Sequence, residues 1–395
     1  MNEARRTVAF INMAHFADHF MMLIYATAVI AMAPALGMSY GLSLSLSTGL
    51  FACFGILSLP VGWLGDRWSR RHMLAIFFIG GGASLVLAGL VTAPWQLAVA
   101  LTLVGVFAAI YHPIGTAMLV STVGASGRSF GLNGVFGNLG VAAAPLVTGL
   151  LVETLGWRWA FAVPGFAMMA IGLAYQFAVV PQAGASAPAA RGAKRSVGAI
   201  DIRFLVAALG LAVFAGGFTF NTVTIALPKF VVEQGSNGVP LAKAGLIATL
   251  IYLVGALTQL SVGRLVERFS KAAIFFVLAL FQLSGFLGMA FLEGPMALAS
   301  AGLVLSSVYG QVVINDLIIA ENVAEHWRAR AYALRYTVGF AVSAGVVPLI
   351  ALLHSPETGY APVFVVMAGF ACLVVLSAAL FAVAASRAPR LEPAE

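Results

Sequence analysis

Gly62-Trp63-Leu64-Gly65-Asp66-Arg67-Trp68-Ser69-Arg70-Arg71 is a charged stretch between two apolar runs. A worn copy returns 201 residues later as Gly263-Arg264-Leu265-Val266-Glu267-Arg268-Phe269-Ser270-Lys271. Asp66/Arg67 and Glu267/Arg268 keep the acid-then-base order at that offset in a chain of 395 residues. A second match follows each copy: Gly127-Arg128-Ser129-Phe130-Gly131-Leu132-Asn133 answers to Ala329-Arg330-Ala331-Tyr332-Ala333-Leu334-Arg335 at an offset of 202. Two related halves, each mostly apolar, are the sequence mark of a membrane protein built from parallel repeats.

Composition supports this. Charged residues are 9% of the chain and apolar ones 61%, with a mean hydropathy of +1.00. A soluble chain of this length needs far more charge to cover its surface, so the reading is an integral membrane protein. Twelve apolar stretches, the first over 8–36, others over 42–65 and 95–121, and the last over 359–384, each approach or exceed the ~20 residues that cross a bilayer as a helix. Residues 1–180 then read as a first six-helix bundle and 203–395 as a second. Between them, 181–202 carries Pro181, Pro188, Arg191, Lys194 and Arg195 and reads as a linker.

Of the 21 Lys and Arg residues, all but Arg158, Lys229 and Lys243 fall at the termini or in loops on one side. The positive-inside rule puts that side, with both termini and the linker, in the cytoplasm of a bacterial-type inner membrane. The bias accounts for the net charge of +7, so no nucleic-acid partner is expected. The expected partners are the lipid bilayer, protons and a small-molecule substrate, and the chain is expected to act as a monomer. Cys53 and Cys372 lie in apolar stretches of opposite halves and are expected to be inert core residues. Trp157-Arg158-Trp159 is expected to anchor the outer interface.

The repeated loop has a mechanical reading. Gly62 and Gly65 let helices approach closely, and Asp66 can accept hydrogen bonds at a helix N-terminus or pair with Arg128. Together with Arg67, Arg70, Arg71, Gly263, Glu267, Arg268 and Arg330, these residues are candidates for a gate that latches one face shut. The alternative is that the charges only set topology.

Candidate site residues lie deeper. Asn12, His15, Asp18, His19 and Met22 fall within a band of about 120° on one helix, and Asp18 lies ~15 Å from its cytoplasmic end. On helix four, Tyr111-His112-Pro113 places His112 at a similar depth, beside a proline expected to kink the helix. Helix five adds Asn133 and Asn138; the second half adds Asn221, Gln311, Asn315, Asp316, Arg335 and Tyr336. A mid-depth carboxylate suits a group that takes up and releases protons, so Asp18, His19 and His112 are the candidates for proton coupling. His112 can equally be a helix-to-helix partner, and Asp316 with Arg335 can be a gate or a structural pair. His15, Asp18 and His19 also have ligand-like spacing for a transition metal.

The loop resembles the signature between the second and third helices of the major facilitator superfamily. That resemblance implies an all-α membrane fold of twelve helices in two pseudo-symmetric six-helix bundles. His15 and Asp18 in helix one, His112-Pro113, and Gly137-Asn138-Leu139-Gly140 followed by Pro145 are similar to the fosmidomycin-resistance branch, whose pattern sets the acid four residues after the His. This branch implies proton-driven export of small, often polar, toxic compounds. Gly131, Gly134, Gly137, Gly140, Pro145 and Gly149 resemble the helix-five motif of antiporters. Three positions depart from these patterns: Asp18 precedes His19 rather than taking its place, Ile114 follows Pro113, and Ala144 precedes Pro145.

The expected activity is therefore secondary active transport by alternating access: proton-coupled export of a small polar or amphiphilic organic molecule. Uptake of a metabolite or metal chelate, or transport of a metal ion, uses the same groups. No Gly-x-x-x-x-Gly-Lys-Ser/Thr loop is present, so the energy source is expected to be an ion gradient. No cofactor and no enzymatic activity are expected.

Overall fold

The computed structural model describes residues 3–124, 127–180, 202–235, 238–323 and 325–386. The side chains at 127, 128, 202, 325–330, 332, 333, 336 and 340 lie outside that description, as do residues 181–201, which carry nearly all of the expected linker. In chain order the helices are α1 (Glu3–Ala35), α2 (Tyr40–Ser45), α3 (Thr48–Gly65), α4 (Arg70–Leu90), α5 (Pro94–Ala108), α6 (Tyr111–Val123) and α7 (Gly127–Leu155). There follow α8 (Trp157–Ala178), α9 (Ile202–Gln234), α10 (Leu241–Leu265), α11 (Lys271–Phe291), α12 (Gly294–Asn322), α13 (Glu325–Leu353) and α14 (Ala361–Ser386).

Helices are what a lipid core permits, because every backbone N–H and C=O must be satisfied within the segment. Among the described residues, eleven spans are long and apolar enough to cross a bilayer. The twelfth is α13, whose described apolar part is Thr337–Leu353. Two of the expected spans are broken rather than continuous. Leu46 and Ser47 separate α2 from α3, where Ser45, Ser47 and Thr48 turn their hydroxyls onto the carbonyls three residues back, at 2.6–2.7 Å. Such bonds compete with the helical ladder. Ala109 and Ile110 separate α5 from α6. Pro113 is the cause: it has no N–H to give Ala109, and its ring crowds that carbonyl.

Helix starts repeat between the halves. Ser69 Oγ accepts from His72 N at 3.3 Å to cap α4, and Ser270 Oγ accepts from Ala273 N at 3.1 Å to cap α11. Asp66 is instead the C-cap of α3, so the expected N-terminal capping role belongs to Ser69. Gly37-Met38-Ser39-Tyr40-Gly41 spells a hydrolase nucleophile pattern, yet it joins two helices, and Ser39 Oγ merely accepts from Leu42 N to cap α2. Cys372 is exposed on α14, so the expectation of a core cysteine fails there; Cys53 is half-buried.

The two bundles touch most closely on the face opposite the Gly62–Arg71 loop. There a Cβ at Gly245 would stand 2.3 Å from the Pro145 carbonyl oxygen, and one at Gly149 2.6 Å from that of Leu241. A Cβ at Gly41 would stand 2.8 Å from the Ala351 oxygen. Hydrogen bonds joining the bundles include Tyr40 Oη to Tyr360 Oη (2.6 Å), Thr249 Oγ1 to the Ala142 carbonyl (2.5 Å) and Asn138 Nδ2 to Gln259 Oε1 (2.7 Å). Toward the loop face the same helices part, for nothing lies within 4 Å of a Cβ built at Gly131, Gly134 or Gly263.

A testable consequence concerns Gly134. Leucine there enters open space, so Gly134→Leu should shift stability by no more than about 1 kcal/mol. The alternating access expected from the sequence would bring α7 and α10 together at the loop face, and the new side chain should block that. A thermal melt near wild type with transport lost is the expected pair of results; retained transport would show that closure does not use this surface.

Candidate transport site

Helix α1 crosses α7 at very short range. A Cβ at Gly140 would lie 2.2 Å from the Phe16 carbonyl oxygen, and one at Gly137 would lie 2.6 Å from His15 Nε2. These two glycines admit the α1 backbone and the His15 ring to a place any larger residue would fill. His15 Nδ1–H donates to the Asn133 carbonyl at 2.8 Å, a bond that fixes the ring and leaves Nε2 as the ring's acceptor. Asn133 Nδ2 donates to Asn12 Oδ1 at 2.9 Å, and Tyr111 Oη donates to Asn133 Oδ1 at 3.1 Å. Asn12, Asn133 and Tyr111 thus form a buried frame behind His15.

Around that frame the imidazoles converge. Ring centroids are 5.0 Å apart for His15 and His19, and 5.5 Å for His112 with each of them. The break in front of Pro113 sets His112 at the first turn of α6, against α1. Asp18 is wholly buried, and its Oδ2 lies 3.4 Å from His112 Nε2, within ion-pair reach but outside hydrogen-bond geometry. Asp18 Oδ1 has no hydrogen-bond partner among the described residues. A buried carboxylate costs free energy unless it is protonated or paired, and His112 is the titratable group set beside it.

The second bundle presents a separate polar surface. A pocket of ≈ 140 Å³ is lined by Phe220, Asn221, Gln311, Asn315, Arg335 and Gly339, among others. Arg335 Nη1 donates to Asp316 Oδ1, and Arg335 Nη2 lies 3.5 Å from the Val312 carbonyl oxygen. Asn221 Nδ2 donates to the carbonyls of Gly217 (2.8 Å) and Gly339 (3.4 Å). Gln311 donates to Gln282 at 2.7 Å, and Gln282 to Thr219 at 2.6 Å. Gln282 and Thr219 escaped the sequence reading. A lone Gln in the otherwise apolar run of α11 was the available signal.

Arg335→Ala should cost about 1–2 kcal/mol, less than the 3–5 of a fully buried pair, because the Asp316 side chain is 35% exposed. The exchange Asp316→Arg with Arg335→Asp separates a pair that acts only through its mutual charge from one that contacts cargo. Transport restored by the exchange marks a structural pair; transport still lost in a folded protein marks contact with cargo.

The residues of the loop face are distributed among several tasks. Asp66 pairs with Arg70 at 3.1 Å, one helical turn on, and is exposed. The guanidinium of Arg67 lies 4.1 Å over the Trp63 ring. Arg71 donates to the carbonyls of Val179 (2.5 Å) and Gln176, satisfying acceptors left over at the C-terminal end of α8. A Cβ at Gly65 would lie 2.2 Å from Ile114 Cδ1 and one at Gly62 3.5 Å from Pro113 Cβ, so both glycines face α6. Gly263 has no such neighbour, and Glu267 and Arg268 are exposed. Asn138 links the bundles through Gln259. The side chains of Arg128, Arg330 and Tyr336 lie outside the description.

On the opposite face a polar cluster was also missed. His354 Nε2 lies 2.7 Å and Lys229 Nζ 3.3 Å from Glu233 Oε1, beside the linked hydroxyls of Tyr40 and Tyr360. Charges near the end of a span look solvated in sequence, which hid them.

Twelve spans in two bundles, with polar groups at mid-depth on either side of a cleft that widens toward one face, define a membrane transporter rather than an enzyme. The chain matches the Major Facilitator Superfamily over residues 9–344 and belongs to it. It is 36% identical over 115 residues to the puromycin resistance protein pur8 of Streptomyces alboniger, covering 28% of this chain and 23% of that protein. It is 29% identical over 160 residues to a probable actinorhodin transporter of Streptomyces coelicolor, covering 36% of this chain and 26% of that one. The matched segments thus span about a quarter of these relatives' own lengths. Among solved structures, a bacterial homologue of the lysosomal transporter Spinster, inward-facing and occupied, superposes with a TM-score of 0.75 over 100% of both chains at 16% identity. A D-xylose–proton symporter gives 0.71 over 96% of this chain and 97% of its own at 13% identity. At such identities the likeness is one of fold.

Proposed function

We propose that this transporter exports a small polar or amphiphilic organic molecule in exchange for protons, by alternating access. One observation carries the reading: a wholly buried carboxylate, Asp18, packed beside His112 and within the His15–His19 stripe of α1. Asp18 is the proton carrier, and the imidazoles of His19 and His112 share its proton. His15 is oriented by Asn133 and, with Asn12 and Asn138, borders the path of the cargo. Asn221, Gln311, Asn315, Asp316 and Arg335 supply polar contacts from the second bundle. A mixture of His, Asn and Gln with a single deep Arg suits a polar compound with an apolar part better than a phosphate ester, which calls for more cations.

The loop face is the cytoplasmic face, on the positive-inside argument, with both termini there in an inner membrane. The structure is then the inward-open state. Gly62, Gly65, Asp66, Arg67, Arg70, Arg71, Arg128, Gly263, Glu267, Arg268 and Arg330 belong to the gate that closes this face when the other opens. The Streptomyces relatives named for puromycin resistance and actinorhodin transport support the outward direction.

Everted vesicles from cells producing the chain test this, with puromycin and a panel of amphiphilic compounds as probes. Energised vesicles should accumulate at least one probe, and collapsing the pH gradient should release it. Accumulation in right-side-out vesicles instead would make the chain an importer.

A further inference from the structure

We propose that His15, His19 and His112 form a binding site for a divalent transition-metal ion of the borderline class: zinc, cobalt, nickel or copper. The sequence places only His15 and His19 together, at i and i+4 on one helix face. The fold adds the third ring from a different helix. One nitrogen from each of the three residues lies within 4.8 Å of the others. Three imidazoles around a tetrahedral ion with bonds near 2.0–2.1 Å stand about 3.4 Å apart, so the rings need to draw in by roughly 1.4 Å at most. All three are only half-buried, which leaves an ion a way in.

Two further features match how proteins hold such ions. First, His15 donates Nδ1–H to the Asn133 carbonyl at 2.8 Å, and Asn133 is itself held by Asn12 and Tyr111. Metal-bound histidines characteristically use their second nitrogen this way, which fixes the tautomer and presents a lone pair to the metal. Second, the wholly buried Asp18 carboxylate stands 3.4 Å from His112 Nε2, and its Oδ1 has no hydrogen-bond partner among the described residues. A carboxylate so placed supplies the negative charge that three neutral imidazoles lack. A donor set of three imidazole nitrogens, with a carboxylate beside it rather than in it, selects a borderline dication over magnesium or calcium, which prefer oxygen. The fourth position stays open to water or to a donor atom of the cargo.

The site requires only these side chains, so it holds whether or not the carrier exports by proton exchange. Binding needs neutral imidazoles, so an ion and a proton exclude each other on these rings. The proton-coupling reading then predicts that a metal ion in the site either rides with the cargo or stalls the carrier.

The test is equilibrium binding on the full-length chain in detergent, with any histidine tag removed and metal stripped beforehand. Zinc is titrated calorimetrically, and cobalt is followed through its visible d–d absorption. The expected result is one ion per chain, with cobalt bands of a low-coordinate, nitrogen-rich site. Affinity should fall at least tenfold in each of His15→Gln, His19→Gln and His112→Gln, and remain unchanged in His72→Gln, an exposed ring outside the cluster. Melting curves and gel filtration identify a variant that fails to fold, and the remaining two then carry the comparison. Absence of zinc binding in the wild type, or binding that survives in all folded cluster variants, would overturn the proposal. No gradient enters this measurement. Loss of proton-coupled export therefore leaves its outcome untouched, and absence of metal leaves the export reading standing.

Discussion

Asp18→Asn is expected to reduce gradient-driven transport by on the order of 100-fold, the scale on which a single proton-transferring side chain matters. Asparagine preserves the shape and the hydrogen-bonding capacity of the side chain but cannot take up or release a proton. Because Asp18 is wholly buried, the change also removes the largest electrostatic liability in α1, so the melting temperature should hold or rise. Exchange of labelled cargo across the membrane without a gradient should persist, since it needs the cleft and the gate but no net proton movement. Loss of exchange together with coupling would show that Asp18 contacts the cargo. Uphill transport persisting in Asp18→Asn would remove Asp18 from the coupling role.

Gly140→Leu should be among the most damaging single changes to the fold. A Cβ there would sit 2.2 Å from the Phe16 carbonyl oxygen, and backbone has no rotamer with which to retreat. Overpacking a core ordinarily costs about 1–3 kcal/mol; here α1 must move off α7, so the loss should exceed that range. The displaced segment of α1 carries His15, Asp18 and His19, so transport and folded yield should disappear together. Gel filtration of the solubilised protein reads this directly. Gly134, six residues earlier on α7, faces open space, and the same substitution there should leave the yield intact. The contrast tests whether the glycine-rich helix has one end built for packing and the other for movement.

Much of this was legible in the sequence. Repetition at 201–202 residues and the charge asymmetry led to the two bundles, because both follow from what a bilayer permits. Stripe geometry on α1 put His15, Asp18 and His19 on one face, and depth counting put His112 level with them. Counting could not show that His112 closes a triangle with His15 and His19. That depends on where the helix breaks ahead of Pro113 and on glycines that bring α1 against α7. The sequence reading also took Leu42–Gly65 and Trp95–Ser121 as continuous spans, since hydropathy does not register a turn that keeps the apolar run intact. Arg71 read as a gating charge, and the sequence did not show that it also donates to the C-terminal carbonyls of α8, a contact between residues more than a hundred positions apart. Long-range partners of this kind leave no local trace in the chain.

Proton movement on addition of cargo is the most direct measurement of the central claim. The chain is reconstituted into liposomes with a pH-sensitive dye inside, and wild type is compared with Asp18→Asn. The account predicts that wild type moves protons opposite to the compound and that the Asn variant moves none. Protons moving with the compound, or moving equally in both proteins, would contradict it.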